Sequence, residues 1–236
     1  TARHSEQARD ALRLGELLGN AYEGTLTVAA VDEIEPYFED FGPWAKAREA
    51  YCQRVFSDAR EHLGGVEFSE RTAVGSASAA LESIAAADAI DVVVVGSTHR
   101  GSLGRILPGS VGDRLLHASP CAVTVAPNGY RERHKPSLQA IGVGYEGEDE
   151  AAAALRSAEV LAGHWGIIHL IAVTPQIVDL PPTEVPARPG YAQALHDHMA
   201  DAIKTGVSTL ADGIEAQSVV VHGDPALELA EQSAKL

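Results

Sequence analysis

The chain has 236 residues, and its 33 acidic side chains outnumber 18 basic ones, a formal net charge of −15 shared between both halves. A field of that sign repels phosphate backbones and anionic lipid, so neither nucleic acid nor a membrane surface is an expected partner. No apolar run approaches the roughly 20 residues needed to cross a bilayer, and the opening TARHSEQARD lacks the shape of a signal peptide. Two cysteines, Cys52 and Cys121, with no CxxC make neither a disulfide framework nor a thiolate metal site, and a reducing, cytoplasmic setting is expected.

In chain order, SEQARDALRLGELLG (5–19) places its apolar residues at helical spacing, with Gly19 as the expected stop. TLTVAAV (25–31) reads as a strand, 44–63 as a long helix, VEFSERTAV (66–74) as a strand and 77–88 as an Ala-rich helix. DVVVVG (91–96) has no polar alternation, which predicts a strand buried on both faces, and CAVTVAP (121–127) follows as another strand. Strand and helix alternating with short links predict a parallel sheet covered on both sides.

The order then repeats: strand 138–147, helix 149–163, strand 167–174, a Pro-rich loop to 190, helix 191–211, strand 216–223 and helix 225–235. TLTVAAV matches IHLIAV, and VGSASAALESIA matches HGDPALELAEQSA, at nearly the same long offset. Repetition at that period means duplicated domains rather than a solenoid. The expected fold class is α/β, two tandem doubly wound parallel-sheet domains, 1–130 and 138–236, joined by NGYRERHKPS (128–137). Each half is incomplete against the other: nothing precedes the first strand of the first half to match 138–147, and nothing in the second half matches 91–127.

In doubly wound sheets ligands collect beyond the carboxyl ends of the strands. The loop after VVVVG, STHRGSLGRILPGS, leaves such an end. Gly96, Gly101 and Gly104 let a ligand approach the main chain, Gly109 and Ser110 open a helix whose free amides favour an anion, and Arg100 and Arg105 supply charge-assisted contacts to phosphate. GxxxxGK followed by Ser or Thr is absent, and no GxGxxG follows a strand of the first half, so neither a P-loop enzyme nor an ordinary dinucleotide fold is expected there.

The stretch DVVVVGSTHRGSLGRILPGSVGDRLLHASPCAVTVAP resembles the C-terminal half of a universal stress protein domain, and VGYEG resembles that family's first strand and turn. The resemblance extends over both repeats and implies binding of an adenine nucleotide, ATP or alternatively ADP or AMP, in a stress response without rapid turnover. It implies a phosphate pattern of Gly, two residues, Gly, nine residues, then Gly with Ser or Thr. Gly96 fills the first position and Gly109 with Ser110 the last, while His99 stands where the second Gly is expected. His99 either blocks the approach or, when protonated, pairs with phosphate itself.

The candidate site is therefore Gly96, Ser97, His99, Arg100, Gly101, Arg105, Gly109 and Ser110, with Ala30 and Val31 at the place of the family's adenine contact and Glu146 at that of its first-turn Asp. The resemblance also implies an internal pseudo-dimer of the two domains, a possible homodimer, and CAVTVAP as the joining edge. The alternatives are a scaffold that works through protein contacts without nucleotide, and a slow ATP-hydrolysing enzyme of a related fold.

Other polar residues have simpler readings. His196 and His198, two apart on a predicted helix, point to different faces, so no metal site is expected. Ser76 and Asp224 occupy matching positions before helices and read as caps, the second with Pro225 at the first helical turn. Glu148, Asp149 and Glu150 favour a helix N-terminus. His117 reads as a satisfied polar residue, Trp44 and Trp165 as packing residues, and Cys121 as a small buried hydrophobe. No catalytic triad or acid/base pair can be assembled, and no catalytic residue is assigned.

Overall fold

The computed structural model describes residues 2–33, 42–97, 99–100, 106–132, 139–175 and 190–236. The chain divides into two compact units, Thr1–Pro136 and Ser137–Leu236. In chain order the first holds α1 (Ala2–Ala21), β1 (Leu26–Asp32), α2 (Gly42–Leu63), β2 (Phe68–Val74), α3 (Ala77–Ala87), β3 (Val92–Gly96), the short β4 (His99–Arg100) and β5 (Ile106–Leu107), α4 (Gly109–Ala118) and β6 (Ala122–Ala126). The second holds β7 (Ala140–Gly144), α5 (Asp149–Trp165), β8 (Ile167–Thr174), α6 (Tyr191–Thr209), β9 (Ala216–His222) and α7 (Pro225–Ser233). The alternating parallel α/β class expected from the sequence is the observed one.

In the second unit β7, β8 and β9 form one parallel sheet with β8 in the centre. Being flanked on both sides, β8 buries Ile168, Leu170 and Ala172 on one face and Ile171 on the other. Val143 and Tyr145, Leu155, Ala158 and Ala162 of α5, and Ile203 of α6 complete that core. At roughly 1.5 to 3 kcal/mol for each large side chain withdrawn from water, this cluster is the main stabilising element of the unit.

The first unit is built differently. Parallel β1 and β2 form one pair, parallel β3 and β6 another, and no described strand joins them. Helix α1 spans the two pairs instead: a Cβ on Gly15 would lie 3.4 Å from Leu26 Cδ1 of β1 and 4.0 Å from Val94 Cγ2 of β3. The β1 face opposite α2 packs Val28 and Ala30 against Cys52, Phe56, Ala59 and Leu63, while Val93 of β3 meets Ala85 and Leu115. Only Val93 within VVVVG is buried and its neighbours are half-buried, so the expectation of full burial on both faces is corrected. The small pairs leave this strand partly open, and apolar composition alone does not report that.

Polar contacts fasten α1. Arg9 donates to Asp58 of α2 through Nε at 3.2 Å and Nη2 at 2.5 Å. Asp10, 1% exposed, accepts from the backbone amides of Gly129 (2.8 Å) and Arg131 (2.9 Å) and from Arg131 Nη1 (3.2 Å). Residues 130–132 therefore form a 3-10 turn docked on α1, with Tyr130 buried. This corrects the reading of 128–137 as linker throughout: a buried carboxylate needs donors, and this turn supplies them.

Several boundaries also move. Gly19 lies inside α1, and the chain leaves the helix through Glu23, at φ 50°, with Gly24 N donating to Gly19 O. Strand β2 starts at Phe68 rather than Val66, because the Val66 amide turns back to Leu63 O. Helix α6 ends at Thr209, whose hydroxyl donates to Gly206 O.

Candidate functional site

The predicted cradle begins where β3 ends. Gly96 has no room for a side chain, because a Cβ there would collide with the backbone carbonyl of Gln7 in α1. The close approach that this glycine permits is thus made by a helix of the same chain. Ser97 is 1% exposed, and its amide donates to Ala126 O at 2.8 Å, continuing the β3–β6 ladder. Both residues at the head of the cradle serve the fold.

Beyond Ser97 the described residues form two short strands. His99 and Arg100 pair antiparallel with Leu107 and Ile106, making a small hairpin. Gly101 and Arg105 lie outside the described residues, as do the side chains of His99 and Arg100.

At the far end, Gly109 has φ 73°, a left-handed conformation that strains any residue with a Cβ, and it is the first residue of α4. Ser110 stands exposed in that first turn. The cap position belongs to Pro108, which has no side-chain acceptor to offer. Among the described residues no side chain caps the amides at this helix end, and the helix dipole makes them attractive to an anion.

The expected adenine contact falls at the end of β1. Ala30 is 1% exposed within the α2-facing core, and Val31 is half-buried. The sequence reading passed over Asp32, the last residue of the strand, 7% exposed with Arg48 Nε 3.2 Å from Oδ2. Its carbonyl accepts from Gly75 N at 2.9 Å, tying the end of β1 to the end of β2. The signal for Asp32 was its register: it shares a strand face with Val28 and Ala30, so its carboxylate points into the core and requires a cation.

A separate open concavity of about 370 Å³ lies between β2 and α3, lined by Ala73, Ala79, Ala80 and Ala87 with Val74, Ile84 and two serines, and with the paired Arg71 and Asp88, 2.6 Å apart. It is away from the predicted cradle. Among the described residues no group of three or more His, Cys, Asp or Glu is arranged for a metal ion. Cys52 is buried, and that burial pushes its thiol above the ordinary value, which makes it unreactive. Cys121 is half-buried rather than buried, its Sγ 3.5 Å from Ser119 Oγ.

The matched cap positions diverge. Asp224 accepts from Leu227 N at 2.8 Å with Pro225 in the first turn, as expected. Ser76 makes no cap bond; its hydroxyl turns to Ser78 Oγ at 3.2 Å. His117 has its predicted polar partner, Nδ1 lying 2.7 Å from Asp113 O. Glu146 is exposed just after β7. The side chains of Trp44 and Trp165 lie outside the described residues.

Parallel strands crossed by helices, with an uncapped helix N-terminus beyond the carboxyl end of β3, define an α/β protein of the kind that places ligands at strand ends. A family model described as "Universal stress protein family" matches residues 2–127, more than half of the chain, and the chain belongs to that family. It is 34% identical over 145 residues to universal stress proteins of Mycobacterium tuberculosis and Mycobacterium bovis, a match covering 61% of this chain and 47% of each relative. The match thus spans about half the length of those relatives. A crystal structure of a universal stress protein from Archaeoglobus fulgidus superposes with TM-score 0.59 at 18% identity, covering 94% of this chain and 76% of that one. One from Pseudomonas aeruginosa assigned to the same family gives 0.57 at 14%, covering 94% and 72%. At such identities these two likenesses concern the fold. Among the described residues no helix is long and apolar enough to cross a membrane.

Proposed function

We propose that the first unit binds an adenine nucleotide, ATP or its ADP and AMP forms, through its phosphates at the N-terminus of α4, and that it acts as a cytoplasmic binding protein rather than a rapid catalyst. The observation that supports this reading most is Gly109 at φ 73° with Ser110 exposed beside it, which leaves an uncapped helix end open to an anion. The family pattern Gly96…Gly109-Ser110 agrees with it. In the same reading the two units act as a pseudo-dimer, and β6, paired only with β3 among the described residues, is the edge offered for association, including a homodimer.

A second reading, a scaffold without nucleotide, draws on a different observation. Gly96 and Ser97 are already engaged by Gln7 of α1 and by Ala126 of β6.

Calorimetric titration of ATP, with assay of nucleotide carried through purification, tests the choice. Ser110→Glu places a like charge beside the phosphates at an exposed position that the fold does not need, and it should abolish the heat seen with the wild type. Absence of wild-type heat up to millimolar ATP, with no co-purified nucleotide, would overturn the nucleotide reading. Gly96→Ala separates the two roles of that glycine. The helix contact predicts destabilisation of about 1 to 3 kcal/mol from overpacking with ATP affinity retained, whereas a phosphate contact predicts lost affinity at unchanged stability. His99→Gly tightens ATP binding where the imidazole obstructs and weakens it where the imidazole is a ligand.

A further inference from the structure

We propose that His196 and His222 form a two-imidazole site for a borderline-soft divalent ion of the Zn2+ or Cu2+ type, at the carboxyl end of the second unit's sheet. The two rings have centroids 5.4 Å apart and planes inclined by 33°. Two imidazoles bound at 2.0–2.1 Å to one tetrahedral ion place their ring centres about 5 Å apart, so the pair already stands at clamp separation.

The elements explain the meeting. His196, Met199 and Ile203 follow one another at helical spacing on α6, and the latter two pack into the core, so His196 continues the inward stripe. His222 ends β9 directly opposite Thr174 of β8 in the parallel register. The His198 neighbour that sequence spacing suggested is exposed and takes no part.

Donor arithmetic fixes one tautomer. Thr174, 2% exposed, has a single hydroxyl proton and donates it to Val221 O at 3.2 Å. Its oxygen must then accept from His222 Nδ1, with which it is hydrogen-bonded. The tautomer that satisfies both of the Thr174 bonds carries its proton on His222 Nδ1 and a bare lone pair on Nε2, the arrangement in which a second-shell hydroxyl orients a ligating histidine. His196 adds a buried Nδ1 with no hydrogen-bond partner among the described residues. An orphaned nitrogen of this kind costs stability unless something fills its lone pair or takes its proton. The acidic chain raises the local concentration of cations. With two protein ligands, the other coordination positions belong to water, which makes the site open and exchangeable rather than structural.

Titration with Cu2+, the tightest of the first-row divalent ions at nitrogen sites, followed by electron paramagnetic resonance, tests the pair. The wild type should take up one equivalent with hyperfine structure from two imidazole nitrogens. His196→Ala and His222→Ala should each weaken binding at least tenfold and leave one nitrogen, and Thr174→Val should weaken it about tenfold with both nitrogens retained. His198→Ala should change nothing. If His196→Ala fails to fold, His222→Gln at the exposed strand end carries the same expectation. Wild-type affinity in the His222 variants, or an equal loss in His198→Ala, overturns the proposal.

Discussion

Strands β1 and β8 carry matching sequence and lie in different surroundings. β8 has a strand on each side and buries side chains on both faces, whereas β1 has one strand partner among the described residues and is touched by helix α1 at Leu26. The difference teaches that an alternating apolar strand specifies its faces but not what covers its edges. A neighbouring strand satisfies the edge by backbone hydrogen bonds, while α1 offers side chains and must be fastened by contacts of its own. Among the described residues, those contacts, Asp10 to the 129–131 turn and Arg9 to Asp58, have no counterpart in the second unit, where no described helix precedes β7.

The largest expected effect breaks that fastening. Asp10→Ala leaves two amides and a guanidinium without their buried acceptor and should destabilise the first unit by about 3 kcal/mol. Urea unfolding followed by hydrogen exchange should show the loss at residues 128–132 and along α1, with the sheet of the second unit unaffected.

A smaller effect compares the repeats at one matched position. Asp224→Ala removes a helix cap and should cost about 1 kcal/mol. Ser76→Ala, which removes no cap bond, should stay within about 0.5 kcal/mol. Equal costs in thermal melts would mean that the two helix starts are equivalent after all.

The smallest is a pH effect confined to the first unit. The Arg9 guanidinium, by its hydrogen bonds, holds the Asp58 carboxyl below its ordinary value. A lowered folded-state value means that this pair stabilises the protein above the ordinary carboxylate pKa, and the contribution is lost as pH falls through the folded value. Both partners are partly exposed, so solvent screening keeps the gain small. Asp58→Asn should lower stability slightly at neutral pH and flatten the acid limb below about pH 4, so that variant and wild type converge at low pH.

Much of the architecture was legible in local pattern. Periodicity located the helices and the parallel strands, and Asp224-Pro225 announced its cap, because each depends on neighbours in sequence. What was not legible depends on distant chain. Gly96 looked the same in sequence whether a phosphate or the carbonyl of Gln7 approached it. His196 was weighed against His198, two residues away, although the register of β8 and β9 brings it to His222. Ser76 had two partners within reach, a helix amide that a cap would accept from and the Ser78 hydroxyl, and composition does not say which it takes.

The Asp10 contact also orders events in time. It joins residues about 120 positions apart, so it closes a loop of nearly the whole first unit, and that closure must be compensated by contacts formed earlier. During synthesis α1 emerges before β1 to β6, yet it cannot be clasped until residue 131 has left the ribosome. A helix made before those strands is thus among the last elements to be locked in place, and the latch that holds it closes only after β1 to β6 have all been made.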